Sequence, residues 1–193
     1  VHFKNENDIR AYSVKSSIDY IKKNKLIFDQ YLFLEFGVYK GGSINFLANF
    51  LKNHNTHIYG FDTFEGFTED WKGTFRLSGD YSNKSLLPKV SGNVKLIKGP
   101  VQKTIDKFIL ENKNKKIIFI HFDMDTYEST NFVIKKIKHL IHSEAYFLFD
   151  NFYNYAAWKV GEFKALKENF DDSQIKYLGF AAEEQVLLKI FKK

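Results

Sequence analysis

Short apolar runs, polar turns and amphipathic stretches alternate along this chain, the pattern of βα units that build a parallel sheet. Positions 9–23 carry Ala11, Val14, Ile18 and Ile21 at three- and four-residue spacing, which predicts a helix. The run 31–36 reads as a buried strand, followed by a glycine turn, a helix over 43–52 and a second strand at 57–61. A third strand is expected at 94–98 and a helix at 101–110. The run 117–122 is continuously apolar, as a central parallel strand should be. A helix at 129–141, a strand at 146–149 and a helix at 160–170 follow. The runs 175–180 and 185–191 close the chain with only Ala181, Ala182, Glu183 and Glu184 between them, which predicts a terminal hairpin and one antiparallel strand.

Residues 64–92 carry no clear period and contain Gly66, Gly73, Gly79 and Pro88. A segment that long inside a compact domain is either functional or disordered. As a substrate lid it would offer Trp71, Phe75 and Tyr81 as packing surfaces, with Lys72 and Arg76 to meet an acidic or phosphorylated carrier. Tyr153, Tyr155 and Trp158 would form a facing wall.

Composition narrows this picture without changing it. At 193 residues and 44 % hydrophobic, the chain suits one well-cored α/β domain over 1–193 rather than two. No run approaches the roughly 20 apolar residues of a membrane helix, and no secretory leader is recognised. A soluble cytoplasmic protein is expected, with no membrane partner. Zero cysteines exclude disulfides, thiolate zinc sites and cysteine nucleophiles together. The net charge of +6 invites a nucleic-acid reading, but the lysines are spread along the chain among Glu and Asp. No nucleic-acid partner is expected, and RNA methylation has only that charge behind it.

Candidate chemistry collects at two places. Glu35-x-Gly37-x-x-x-Gly41-Gly42-Ser43 follows the first buried strand, where glycines let a backbone approach a ligand closely. An ordinary tight βα turn would look the same. The spacing is not that of a dinucleotide turn, and Glu35 would repel a pyrophosphate but could meet a cationic amino-acid group. One βα unit later, Asp62 stands at the next strand end, where an acid can take both hydroxyls of an adenosine ribose.

The second place is the end of the central strand and of its successor: His121-Phe122-Asp123-Met124-Asp125-Thr126, then Asp150-Asn151. Asp123, Asp150 and Asn151 are hard oxygen donors suited to Mg²⁺, Ca²⁺ or Mn²⁺. The same acids could instead cap the helices that follow, although Thr126, Ser129 and Thr130 are available for that. Asp125 or His121 could accept a proton from an acceptor hydroxyl, while His121 could equally be a hydrogen-bonded structural histidine.

Together the stretches LEFGVYKGGS (34–43), YGFDTFEGF (59–67), FDMDTYEST (122–130) and FDNFYNY (149–155) resemble the macrocin O-methyltransferase-like family of sugar O-methyltransferases. The resemblance spans roughly residues 31 to 170. It implies a Rossmann-like class I methyltransferase domain, a mostly parallel seven-stranded sheet with helices on both faces. It also implies S-adenosylmethionine as cofactor and divalent-metal-assisted methylation of a sugar hydroxyl, with Mg²⁺ the expected ion. Carried over, Glu35, Gly37 and Ser43 would line the cofactor's amino-acid end and Asp62 would hold its ribose. Tyr39, Gly41 and Thr63, within the same motifs, complete the cofactor-binding candidates. Asp123, Asp150 and Asn151 would bind the metal. That family usually has a second Asp where this chain has Asn151. Asp-Asn is similar to the metal-dependent catechol and caffeoyl-type enzymes, but those place a Lys near the first acid, where Thr126 stands here.

Three functions are therefore open: a sugar O-methyltransferase of natural products or surface glycans, an O-methyltransferase of a catechol-like or other small hydroxylated acceptor, and a cofactor-binding module without chemistry. Each takes a small-molecule or glycan partner or none, and a homo-oligomer is compatible with all of them.

Overall fold

The computed structural model describes residues 1–67, 69–181 and 184–192. Its elements are β1 (His2–Phe3), α1 (Glu6–Lys23), β2 (Tyr31–Phe36), α2 (Gly42–Leu51), β3 (Ile58–Asp62), β4 (Val94–Lys98), α3 (Val101–Glu111), β5 (Lys116–Phe122), α4 (Tyr127–Ile137), β6 (Ile141–Phe149), α5 (Glu162–Asn169), β7 (Ile175–Ala181) and β8 (Val186–Phe191). They form one sheet in the order β1-β7-β8-β6-β5-β2-β3-β4. Every pair is parallel except those of β8, which runs antiparallel to β6 and β7. The antiparallel strand expected from the closing hairpin is present, although Ala182 and Glu183 of its turn lie outside the described residues.

Alternation along each strand builds a core on both faces. From β2, Leu32, Leu34 and Phe36 pack with α3, α4 and α5, while Tyr31 and Phe33 pack with α1 and α2. Phe122, at the end of β5, stacks between Phe36 and Phe149 at centroid distances of 5.9 and 4.7 Å. Three adjacent strand ends are thereby locked in register. None of the described helices is long and apolar enough to cross a membrane.

The sheet has eight strands rather than seven. The additional one, β1, is two residues long and carries no readable period. It is held by backbone pairing, with the Phe180 amide donating to the Val1 carbonyl at 2.9 Å. Gly179 makes room for it, since a Cβ there would collide with the Phe3 ring. Two boundaries also move. The helix expected to reach 141 ends at Ile137, and Ile141 instead opens a strand whose first half, His142 to Glu144, is partly solvated. The first helix starts at Glu6 because Asn5 caps it, accepting from the Asp8 amide at 2.9 Å.

Strand order places the site. The chain runs from β2 outward through β3 and β4, then crosses back to lay β5 on the other side of β2. The carboxyl ends of β2 and β5 are thus neighbours at the point where the winding reverses, and ligands of open α/β sheets bind in that crevice. The described residues of 64–92 fold over it with no helix or strand among them. They are tied by their own bonds, Phe67 N–H to Asp80 O at 3.0 Å and Gly79 N–H to Phe67 O at 2.9 Å. Trp71 meets the edge of Tyr155 at 5.5 Å, which joins the loop to the segment after β6.

Candidate active site

A cavity of about 1150 Å³ opens at the carboxyl edge of the sheet. Small-molecule pockets span roughly 300–1,000 Å³, so this one lies just beyond the large end of that range. One end is the turn after β2. Both Val38 and Tyr39 donate their amides to Asp62 Oδ2 at 2.7 Å, and Phe64 donates its amide to Oδ1 at 2.6 Å. Asp62 therefore holds the glycine turn in shape while itself lining the cavity, as do Gly37, Tyr39 and Thr63. Gly37 has φ +92°, and a Cβ there would collide with the Asp123 carbonyl oxygen.

Glu35, Gly41 and Ser43 are not in the lining. Glu35 is fully buried, accepting from Ser43 Oγ at 2.8 Å and facing His121 Nδ1 at 3.0 Å. The other ring nitrogen of His121 faces Asp150 Oδ1 at 3.3 Å. Burial alone would lower the His121 pKa, but hydrogen bonds to Asp150 and Glu35 outweigh it and push the imidazole up to about 10. An imidazolium thus sits beneath the site, between the acid of β2 and the acid of β6, and does not touch the cavity.

The acids that follow β5 and β6 lie close together. His121, Asp123 and Asp150 each place one ligand atom within 4.8 Å of the others. Burial and the neighbouring Asp150 hold the Asp123 carboxyl well above the usual carboxylate range. Burial and the same neighbour push Asp125, which has φ +61°, up to about 7. Asp150 goes the other way: burial is outweighed by His121 and Arg10, and its pKa is lowered. Asn151 donates Nδ2–H to Glu184 at 3.0 Å, and its Oδ1 is buried without a hydrogen-bond partner. Asp123, Asp125, Asp150 and Asn151 all line the cavity.

Residues 34–152 match the family model described as a methyltransferase domain. The chain belongs to that methyltransferase family. No curated protein sequence matches it. Among solved structures it resembles the calicheamicin methyltransferase CalS11, at 20 % identity and TM-score 0.67, covering 92 % of this chain and 77 % of that one. It also resembles the O-methyltransferase NovP, at 15 % identity and TM-score 0.66, with 95 % and 80 % covered. The S-adenosylhomocysteine-bound Podospora anserina methyltransferase PaMTH1 is similar at 18 % identity and TM-score 0.53, with 93 % and 78 % covered. At these identities the likeness is one of fold.

Several parts of the cavity wall carry no motif. Lys4 to Asn7 form one wall, Gly99 to Gln102 after β4 form another, and Glu184 and Gln185 reach in from before β8. Arg10 donates to Asp150 Oδ1 at 2.9 Å, and Gln185 donates to the same oxygen. In the sequence Arg10 reads as the solvent partner of Glu6 one helical turn away, a pair that also forms, at 2.7 Å. Glu162 is fully buried, accepts the Asn151 amide at 3.1 Å and leaves Oε1 without a partner. Burial and Asp125 raise its pKa well above the carboxylate range. A buried Glu opening a short helix looks like ordinary first-turn chemistry in sequence.

The close approach at Gly37 gives a direct test of the turn. Gly37→Ala is expected to shift the turn off Asp62 and weaken S-adenosylhomocysteine binding by at least tenfold. The left-handed φ adds roughly 1–2 kcal/mol of instability. Calorimetric titration of the variant measures the first effect and thermal melting the second. Wild-type affinity in the variant would show that the turn does not hold the cofactor.

Proposed function

We propose that this methyltransferase domain moves a methyl group from S-adenosylmethionine to a hydroxyl of a sugar or sugar-like acceptor, with a divalent cation. One observation carries the reading: acids Asp123, Asp125 and Asp150 line the same cavity as the glycine turn, as does Asn151, whose buried oxygen has no hydrogen-bond partner. Acidic side chains outnumber the cations Lys4 and Arg76 in that lining. Such a cavity suits a sulfonium and a metal ion and resists a bare phosphate. CalS11 is described as a TDP-rhamnose 3'-O-methyltransferase, which supports a sugar as acceptor.

The donor set fits both groups. Asp123, Asp150 and Asn151 would hold the ion through oxygen, the chemistry Mg²⁺ prefers. Gly37, Tyr39, Asp62 and Thr63 would hold the cofactor, with Glu35 and Ser43 acting from behind the turn rather than on the ligand. When bound, the cofactor supplies an electrophilic methyl and the ion lowers the pKa of an acceptor hydroxyl. The chain's own task is to orient that hydroxyl and receive its proton. We assign this to Asp125, which lines the cavity and whose carboxyl is pushed up to about 7 by burial and Asp150. His121 is already an imidazolium with both nitrogens engaged, so proton acceptance is assigned to Asp125 and a structural charge to His121. Trp71 and Phe75 of the 64–92 loop line the cavity and would flank the acceptor.

The test uses methyl-labelled S-adenosylmethionine with nucleotide sugars, free glycosides and catechols, in Mg²⁺ and in EDTA. Label is expected on the sugars, about 100-fold less with EDTA, and restored by Mg²⁺. Transfer only to catechols would replace the acceptor class, and transfer indifferent to EDTA would remove the metal. Cofactor binding with no transfer to any acceptor would leave a binding module.

A further inference from the structure

Asp150 is gripped at one oxygen by three donors from three separate parts of the chain: Arg10 of α1, His121 of β5 and Gln185 before β8. His121 and Gln185 stand at the strand ends that already form the site. Arg10 comes from outside the sheet. Its guanidinium spans two acids, with NH2 on Asp150 at 2.9 Å and NH1 on Glu6 at 2.7 Å, and Glu6 belongs to the cavity wall. Its Nε is buried with no hydrogen-bond partner. Leaving a buried N–H unsatisfied is costly, so stability alone is a poor reason for a guanidinium in this position.

We infer that Arg10 is a positioning residue for Asp150, fixing its carboxylate through Oδ1 so that Oδ2 is left for the cavity, and tying the 4–7 wall to that acid. The inference rests on the reading of Asp150 as a metal ligand. The planar fork of Arg can hold two carboxylates in fixed directions, which the single ammonium of Lys cannot. Partners that orient a metal ligand typically govern affinity by 10–100-fold. Arg10 is also a positive charge close to the ion's place, and that role has the opposite sign: its removal would strengthen cation binding.

The experiment titrates Mn²⁺ into the full chain and follows free Mn²⁺ by electron paramagnetic resonance, for wild type, Arg10→Lys and Arg10→Gln. S-adenosylhomocysteine affinity and thermal melting are measured on the same samples. Positioning predicts that both variants bind Mn²⁺ about tenfold or more weakly while cofactor affinity stays within about twofold. The Lys variant keeps the charge and is the milder change to the fold, so it decides the matter if the Gln variant melts early. Mn²⁺ affinity that is unchanged in Arg10→Lys, or tighter in Arg10→Gln, overturns the inference and leaves charge balance. Loss of cofactor and metal binding together in both variants also overturns it, in favour of a general structural role. A wild-type protein that binds no Mn²⁺ fails at the earlier step and overturns the metal reading itself.

Discussion

Asp150→Asn is expected to lower methyl transfer roughly 10²–10³-fold while leaving S-adenosylhomocysteine affinity within about twofold. An Asn side chain keeps a carbonyl oxygen for Arg10, His121 and Gln185, so the local hydrogen bonds have a continuing acceptor. What it loses is the negative charge facing the cavity. Asp150→Ala would be a poorer probe, because it takes away the acceptor shared by Arg10, His121 and Gln185 and leaves those donors unsatisfied. Removing one partner of a buried pair costs about 3–5 kcal/mol, and a loss of activity would then be confused with a loss of fold. Steady-state rates, calorimetry with the cofactor product and thermal melting on the Asn variant separate these effects. A variant retaining more than a tenth of the wild-type rate would remove Asp150 from the chemistry.

The second large effect is on stability. His121→Ala is expected to destabilise the domain by about 3–5 kcal/mol, lowering the melting temperature by roughly 10 °C. The imidazolium lies between Glu35 and Asp150 with no exposed surface. Without it, Glu35 remains fully buried with the Ser43 hydroxyl alone to hydrogen-bond its carboxylate. His121→Gln, which can still donate to one of the two acids, should recover part of the loss. Urea unfolding of both variants measures this. A general base would behave differently: its loss would cut the rate and leave the unfolding free energy unchanged, and that outcome would return His121 to the chemistry.

How far the sequence reached differs between the two half-sites. Asp123, Asp125, Asp150 and Asn151 were legible because they follow continuously apolar strands, and a parallel strand's carboxyl end is where α/β chemistry sits. Asp62 was legible for the same reason, although its contact with three loop amides was not. Glu35 and Ser43 were read as facing the ligand. In the fold Glu35 is fully buried, facing His121 and accepting from Ser43, and neither Glu35 nor Ser43 is in the cavity lining. Side-chain direction at a strand end depends on how neighbouring strands twist and pair, which one strand's pattern does not contain.

Arg10, Glu162, Glu184 and Gln185 mark the limit. Arg10 lies 140 positions from Asp150, and its local partner Glu6 gives a complete explanation of it as a surface pair. Gln185 sits at the start of a strand whose own pattern describes only its apolar face. None of these can be found by spacing, since what joins them is the strand order that brings β8 beside β6 and lays α1 across the sheet.

The sequence by itself determined the βα succession, the antiparallel closing strand, the glycine turn and the acids at consecutive strand ends, since periodicity and turn chemistry are local properties. Tertiary structure alone decided that the ends of β2 and β5 meet where the winding reverses, and that His121 is a buried cation rather than a group in the cavity. It also decided that an arginine from the first helix holds Asp150. The physical reason is range: hydrophobic period and backbone preference act over a few residues, whereas burial, ion pairing and the direction of a carboxylate depend on groups that only packing brings together.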